Sequence, residues 1–264
     1  MMIQDSDILV SEAKEAVEQR HTHTNKSTLE KLGEIDGQLT YDGNFIHEEK
    51  SVLDSASYIN PNLLHNWDFR QSPVNQRGQT EYTGSGIYTI DRFVTVLQTT
   101  LEIHAGFLRI IGNQIQQQLE PNIREAITGK TVTISALLAD GRLISASGVV
   151  GSHAGTYITA YVPGSQQRIA LHRSVNAINL GVYIQNVNSE IPLEVQAVKL
   201  EMGSVSTLAN DPPMDYGREL AICQRFQQIR STNNINILDL RPSMRINPVI
   251  TAFTGGGFMY DANI

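Results

Sequence analysis

The 264-residue chain has a single cysteine, Cys223, and a single tryptophan, Trp67. One thiol excludes an internal disulfide and a cysteine-ligated metal cluster within one chain, so folding does not depend on oxidation. Positive charge is scarce: Lys plus Arg number 20 against 27 Asp plus Glu, a net charge of -7, which argues against nucleic acid as a partner. No run reaches the roughly 18 consecutive apolar residues of a membrane helix, and the opening MMIQDSDILV has no basic stretch ahead of an apolar one. A soluble chain with no secretion signal and no membrane insertion is expected. The G-x-S-x-G, H-E-x-x-H, P-loop and dinucleotide fingerprints are all missing from the sequence.

What is present is unevenly distributed. Residues 1–58 hold 12 acidic and 5 basic side chains, while residues 59–264 hold 15 of each, so the whole excess charge lies in the first fifth. Asn and Gln contribute 18 residues each beside 41% hydrophobic residues. An amide-rich surface over ample core material suits β-structure better than a helical bundle.

Residues 5–20 place Val10, Ala13 and Val17 at coiled-coil spacing, a narrow apolar stripe. A helix with so little apolar area is marginal alone, because burial against a partner normally supplies helix stability. Ser27 and Glu30 have capping-box spacing ahead of Gly33, predicting a one- or two-turn helix. Asp42-Gly43, between Leu39, Tyr41 and Phe45, Ile46, is the strongest hairpin signal in the chain. None of these elements encloses a core, so residues 1–58 are expected to gain one by association with other subunits.

After the linker-like SVLDSASYINPN the pattern changes to short β-rich runs, among them TLEIHAGFLRII, KTVTISALL, RLISASGVV, TYITAYV, QRIALH, NLGVYIQNV and PLEVQAVKLEM. About eight strands joined by polar turns predict an antiparallel jelly-roll β-sandwich over 59–208. Residues 122–128 fit a short helix. In 209–264, MDYGRELAICQRFQQIR has helical spacing and is followed by short strands around Gly255-Gly256-Gly257. Cys223 sits among the apolar positions of that helix, as a buried inert thiol. The overall expectation is a mainly β protein in three parts.

Chemistry-bearing residues are sparse. His21-Thr22-His23 either ends the first helix, with His21 at the negative pole of its dipole, or supplies two imidazoles per subunit. Three copies about a threefold axis would offer six nitrogens, an octahedral set suited to iron or another transition metal. Asp68, Asp91, Glu102 and Glu120 lie in or beside strands, and a glycosidase would need two of them facing across a cleft. Sugar binding fits the β-domain better, because aromatic rings cover the apolar faces of pyranoses while amides and arginine serve the hydroxyls. Trp67, Tyr82, Tyr88, Tyr157, Tyr161 and Tyr183 are the rings available, with Asn75, Gln76, Arg77 and Gln79 as polar neighbours. Tyr82, in the polar loop QRGQTEYTGSG, leads the set, with Arg77, Gln79, Trp67 and Tyr157.

Three stretches carry a family resemblance. HTHTNKSTLEKLGEIDGQLTYDGNFI is similar to an element of tail-fibre and baseplate proteins from phages and prophages of Gram-positive bacteria. NLLHNWDFRQSPVNQRGQTEYTGSGIYTIDRF, ending in AVKLEMGSVSTL, resembles the jelly-roll carbohydrate-binding module of those virion proteins, and GRELAICQRFQQI followed by RPSMRINPVI resembles their C-terminal helix and closing strands. The resemblance implies a non-enzymatic virion protein, a homotrimer bound to other virion structural proteins, whose sandwich recognises host surface polysaccharide. It also implies that His21 and His23 hold iron on the threefold axis, although this chain has one such pair where fibre tips have a series. A non-adhesive decoration or connector protein and a cell-wall glycan hydrolase are the alternatives.

Overall fold

A computed structural model describes residues 60–174, 179–187, 191–230, 240, 242–252 and 258–263, together with strand segments 32–35, 38–41 and 44–45. The chain divides into two compact units, Met1–Tyr58 and Ile59–Ile264. The predicted helix over 5–20 and the histidines His21 and His23 lie outside the described residues.

In the first unit, β1 (Leu32–Ile35), β2 (Gln38–Tyr41) and β3 (Asn44–Phe45) form an antiparallel sheet in that order. Tyr41 pairs with Asn44, the register that a two-residue Asp42-Gly43 loop predicts. The helix expected over 27–33 is corrected at its end: Leu32 and Gly33 are strand, paired with Tyr41 and Thr40. The backbone groups of Leu32 and Gly33 are taken up by cross-strand pairing with β2 instead of closing a helical turn.

The second unit is mainly β, with an antiparallel sheet that curls into a nearly closed, barrel-like form. Its strands are β4 (Glu81–Gly84), β5 (Val94–His104), β6 (Phe107–Gln118), β7 (Thr131–Leu138), β8 (Leu143–Val149), β9 (Gly155–Tyr161), β10 (Arg168–Arg173), β11 (Leu180–Gln185) and β12 (Leu193–Met202). A short helix α1 (Pro121–Ile127) opens with proline, whose fixed φ suits a first turn, and enters β7 through a turn at Gly129.

Strand β6 organises the sheet. One edge pairs with β5; the other pairs with β12 at Leu108–Ile110 and then with β11 at Gln114–Gln118. The change of partner falls at Gly112, where φ is +96° and an added Cβ would meet the Gln98 carbonyl oxygen at 2.7 Å. Opposite it, β5 carries a register shift between Val96 and Thr99, with Leu97 at φ 60°. Bulge and glycine together bend the long hairpin, so one wing runs β6-β12-β7-β8 and the other β6-β11-β10-β9. Between the wings lies one core, built from alternate residues such as Ile110 and Ile115 of β6, Ile134 of β7, Leu171 of β10, Val182 of β11 and Val195 of β12, each at most 1% exposed. Each such side chain contributes about 1.5–3 kcal/mol on burial.

The segment after β12 is pinned by a buried polar cluster. Lys199 Nζ donates to Asp211 Oδ1 at 2.5 Å and Thr207 Oγ1 at 2.8 Å, while Glu201 accepts from Thr207 N at 2.8 Å and Oγ1 at 2.6 Å. Complete pairing is what makes these burials tolerable.

The C-terminal segment belongs to this same unit. Helix α2 (Tyr216–Cys223) is capped by Asp215, whose side chain accepts from Arg218 N at 3.0 Å. The helical reading of MDYGRELAICQRFQQIR is corrected beyond Cys223. Residues Gln227–Arg230 form β13, which with β15 (Phe258–Asp261) and β14 (Val249–Ala252) makes a sheet in the order β13-β15-β14. The helical spacing of Phe226 and Ile229 yields to tertiary bonding: Phe226, 1% exposed, lies with Arg92 3.6 Å from its ring centroid and Arg245 at 5.3 Å, and Gln228 pairs with Tyr260. RPSMRI, expected as part of a strand, has no strand among its described residues.

Candidate functional site

Two regions of the β-domain gather aromatic rings, arginine and amides. The first is the 66–92 loop region, where the sequence placed the leading sugar contacts. Asn66, at φ 54°, is fully buried. Its amide donates to the carbonyls of Val74 at 2.9 Å and Asp91 at 2.8 Å, its Oδ1 accepts from Val74 N at 2.7 Å, and its backbone N donates to Glu219 Oε1 at 2.6 Å. Asp91 accepts from Gln76 N at 2.9 Å and Nε2 at 3.0 Å, and burial pushes its pKa up to about 6.

The exposed contact role expected of Tyr82 is corrected. The ring is 4% exposed, lies within the core cluster, and donates its hydroxyl to Asn75 Oδ1 at 2.5 Å. The physical reason is register: in β4, Tyr82 pairs with the buried Leu101 of β5 and so shares the inward face. Burial raises its phenol pKa. Arg77 is half-buried against the C-terminal sheet, donating to the Thr89 carbonyl at 3.3 Å, reaching the Met259 sulfur at 3.3 Å and lying 5.6 Å from the Tyr88 ring centroid. Desolvation lowers its pKa.

The other predicted contacts lie elsewhere. Gln79 is exposed, and its backbone carbonyl accepts from Asn75 Nδ2 at 2.7 Å. Trp67 packs half-buried against the core, at a cleft of about 380 Å³ that it shares with His65, Pro212 and Glu219. Tyr157 packs over Gly151 and donates its hydroxyl to the His153 carbonyl. The five residues named from the sequence therefore do not form one surface.

The four carboxylates considered for hydrolysis are each engaged within the chain. Asp68 binds Arg70 Nε at 2.8 Å and Nη2 at 2.9 Å. Glu102 meets His104 Nε2 at 2.9 Å, Glu120 meets His65 Nε2 at 3.3 Å, and Asp91 is held by Gln76 as described. Burial raises the Cys223 thiol well above its ordinary pKa, which suits the inert role expected of it. Among the described residues no group of three or more His, Cys, Asp or Glu could hold a metal, and no helix is long and apolar enough to cross a membrane.

The second region is the outer face of the wing β9-β10-β11-β6-β5, and the register of four ladders builds it. Tyr161 pairs with Arg168, Arg168 with Gln185, Gln185 with Gln114, and Gln114 with Val96, giving one row across five strands. The next row in the same register is Thr159, Ala170, Tyr183, Gln116 and Val94. A third begins with Thr156, His172 and Gly181. Because side chains alternate across a strand, Ile169, Leu171, Val182 and Ile184 face the core while these rows face away from it.

The rows line a groove of about 470 Å³. Tyr161, 53% exposed, has the Arg168 guanidinium 5.7 Å from its centroid, and Arg168 Nε donates to Gln185 Oε1 at 2.5 Å. Gln185 in turn donates to Gln114, and His172 Nδ1 shares a 3.0 Å hydrogen bond with Thr156 Oγ1. His172 also lies edge-on to Tyr183 at 5.4 Å, and burial raises the Tyr183 phenol pKa. Rings with apolar faces beside fixed donors and acceptors can stack on a sugar and bond its hydroxyls. Tyr161 and Tyr183 were among the rings the sequence offered. Arg168, His172, Gln114 and Gln185 were missed, and the period-2 alternation of TYITAY, QRIALH and GVYIQ was the signal that could have found them.

The chain matches no protein-family model, no curated protein and no solved structure.

Proposed function

We propose that this protein is a trimeric phage fibre or receptor-binding protein whose jelly-roll-like β-domain binds host cell-surface polysaccharide through the groove on β9-β10-β11-β6-β5. The observation that carries the binding reading is the row of Tyr161, Arg168, Gln185 and Gln114 beside Tyr183, with Tyr161 left 53% exposed. Residues 1–58, acidic and poor in core-forming side chains, would join the subunits and attach them to other virion proteins. Three copies acting together raise avidity by about 10²–10⁴ where geometry allows joint engagement, so a shallow groove can suffice.

The test is solution mass of the full-length chain combined with a glycan array and a host-cell pull-down. A trimer that binds glycans, and loses them on Tyr161→Ala, supports the proposal. A stable monomer overturns the virion reading, and an intact trimer that binds neither glycan nor cell overturns adhesion in favour of a connector role.

A further inference from the structure

We propose that the groove is built for an acidic polysaccharide, with the Arg168 guanidinium receiving a carboxylate or phosphate carried by the glycan; this rests on the glycan-binding reading above. The first observation is charge. No Asp or Glu lines the groove, whereas Arg168 and His172 both do. Residues 59–264, which form the groove, hold 15 acidic and 15 basic side chains, so its lining departs from a balanced surface.

The second observation is how Arg168 is held. Three arginines that reach solvent are neutralised by carboxylates: Arg142 by Asp140 at 2.7 Å, Arg109 by Glu194 at 2.8 Å and Arg70 by Asp68 at 2.8 Å. Arg168 has no carboxylate within ion-pair distance among the described residues; it is oriented by a neutral amide and an aromatic ring instead. The amide takes only Nε, and neither Nη group is engaged in a hydrogen bond among the described residues. An arginine fixed by neutral partners keeps its charge uncompensated and presents a planar fork suited to bidentate binding of carboxylate or phosphate. A neutral sugar would leave that charge unanswered.

The third observation is spacing. Arg168, Ala170 and His172 occupy alternate positions on the outer face of β10, so the two basic residues stand about 13 Å apart along the strand. Ala170 between them, and Gly181 opposite His172, keep the floor low. An extended polymer laid along β10 would meet the Arg168 guanidinium near one end and the His172 imidazole near the other, with Tyr161 and Tyr183 as its stacking surfaces.

The experiment uses the full-length chain and three probes, an oligogalacturonate, a poly(glycerol phosphate) oligomer and a neutral oligoglucoside, each titrated at low and high ionic strength. At least one acidic probe is expected to bind about tenfold or more tightly than the neutral one, and to weaken with salt. Arg168→Gln should remove about tenfold of that affinity and most of its salt dependence, with a smaller loss for the neutral probe and the thermal midpoint unchanged. The two acidic probes separate a carboxylate from a phosphate source. If the neutral probe binds as tightly as both acidic ones and only Tyr161→Ala weakens it, the acidic-glycan inference falls while the groove reading stands. Binding of no probe at all overturns both.

Discussion

The 66–92 loop region and the outer face of β9-β10-β11 hold nearly the same side chains, yet the structure uses them in opposite ways. Around Asn66 and Asp91 the amides, the arginine Arg77 and the ring of Tyr82 are turned on one another and on the C-terminal segment. On β9, β10 and β11 the same chemistry is presented outward, with Tyr161 more than half exposed. Polar side chains near aromatic rings therefore do not by themselves mark a recognition surface. What separates a binding face from an internal clasp is whether the chain has already satisfied those groups.

The contrast can be broken most severely at Asn66. Asn66→Ala removes three side-chain hydrogen bonds inside the core, orphaning polar groups of Val74 and Asp91, and puts alanine at a positive φ. A loss of about 3–4 kcal/mol is expected in chemical denaturation, with glycan binding by the folded fraction unchanged. A loss of binding without a loss of stability would reverse the two roles.

Next in size is Gly112→Ala, at the bend between the two wings. The strained φ and the 2.7 Å approach to the Gln98 carbonyl predict a cost of about 2–3 kcal/mol. Here stability and glycan binding should fall together, because the bend carries β6 from β12 to β11. An unchanged unfolding midpoint would contradict that account of the bend.

Asp91 sharpens the comparison through pH. Its folded-state pKa of about 6 lies above the ordinary 3.8, so the folded form binds its proton more tightly than the unfolded chain does. That contribution to stability is fully present below about pH 4 and is lost as pH rises through about 6. Asp91→Asn should therefore gain on the wild type by on the order of 2 kcal/mol between pH 4 and pH 7.5 in paired unfolding curves. A difference that stays constant with pH would show that Asp91 does not carry the shift.

The smallest effect on stability is expected at the groove. Tyr161→Ala should change it by less than about 0.5 kcal/mol, since the ring is largely exposed, yet weaken glycan binding about tenfold. A large drop in the melting temperature would place Tyr161 in the structural class with Tyr82.

Much of the fold was legible because strand periodicity is local. The runs KTVTISALL, RLISASGVV and PLEVQAVKLEM contain β7, β8 and β12, TYITAYV and QRIALH cover all but one residue of β9 and β10, and the short helix expected over 122–128 is α1, one residue earlier. Reading failed where distant partners decide. Residues Gln227–Arg230 have helical spacing but pair with β15 some thirty positions later, and Tyr82 sits in a polar loop sequence but on the inward face of β4. The groove was half legible: its tyrosines were visible as rings, but their row with Arg168 and Gln185 exists only through ladders between separate strands.

By itself the sequence determined that this chain builds sheets and lacks the thiols for a disulfide, because those properties follow from composition and from alternation within single segments. Only the tertiary structure decided which aromatic and amide clusters are consumed and which are offered. That choice depends on which strands lie side by side and on the bend at Gly112, and contacts between residues far apart along the chain leave no periodic trace in it.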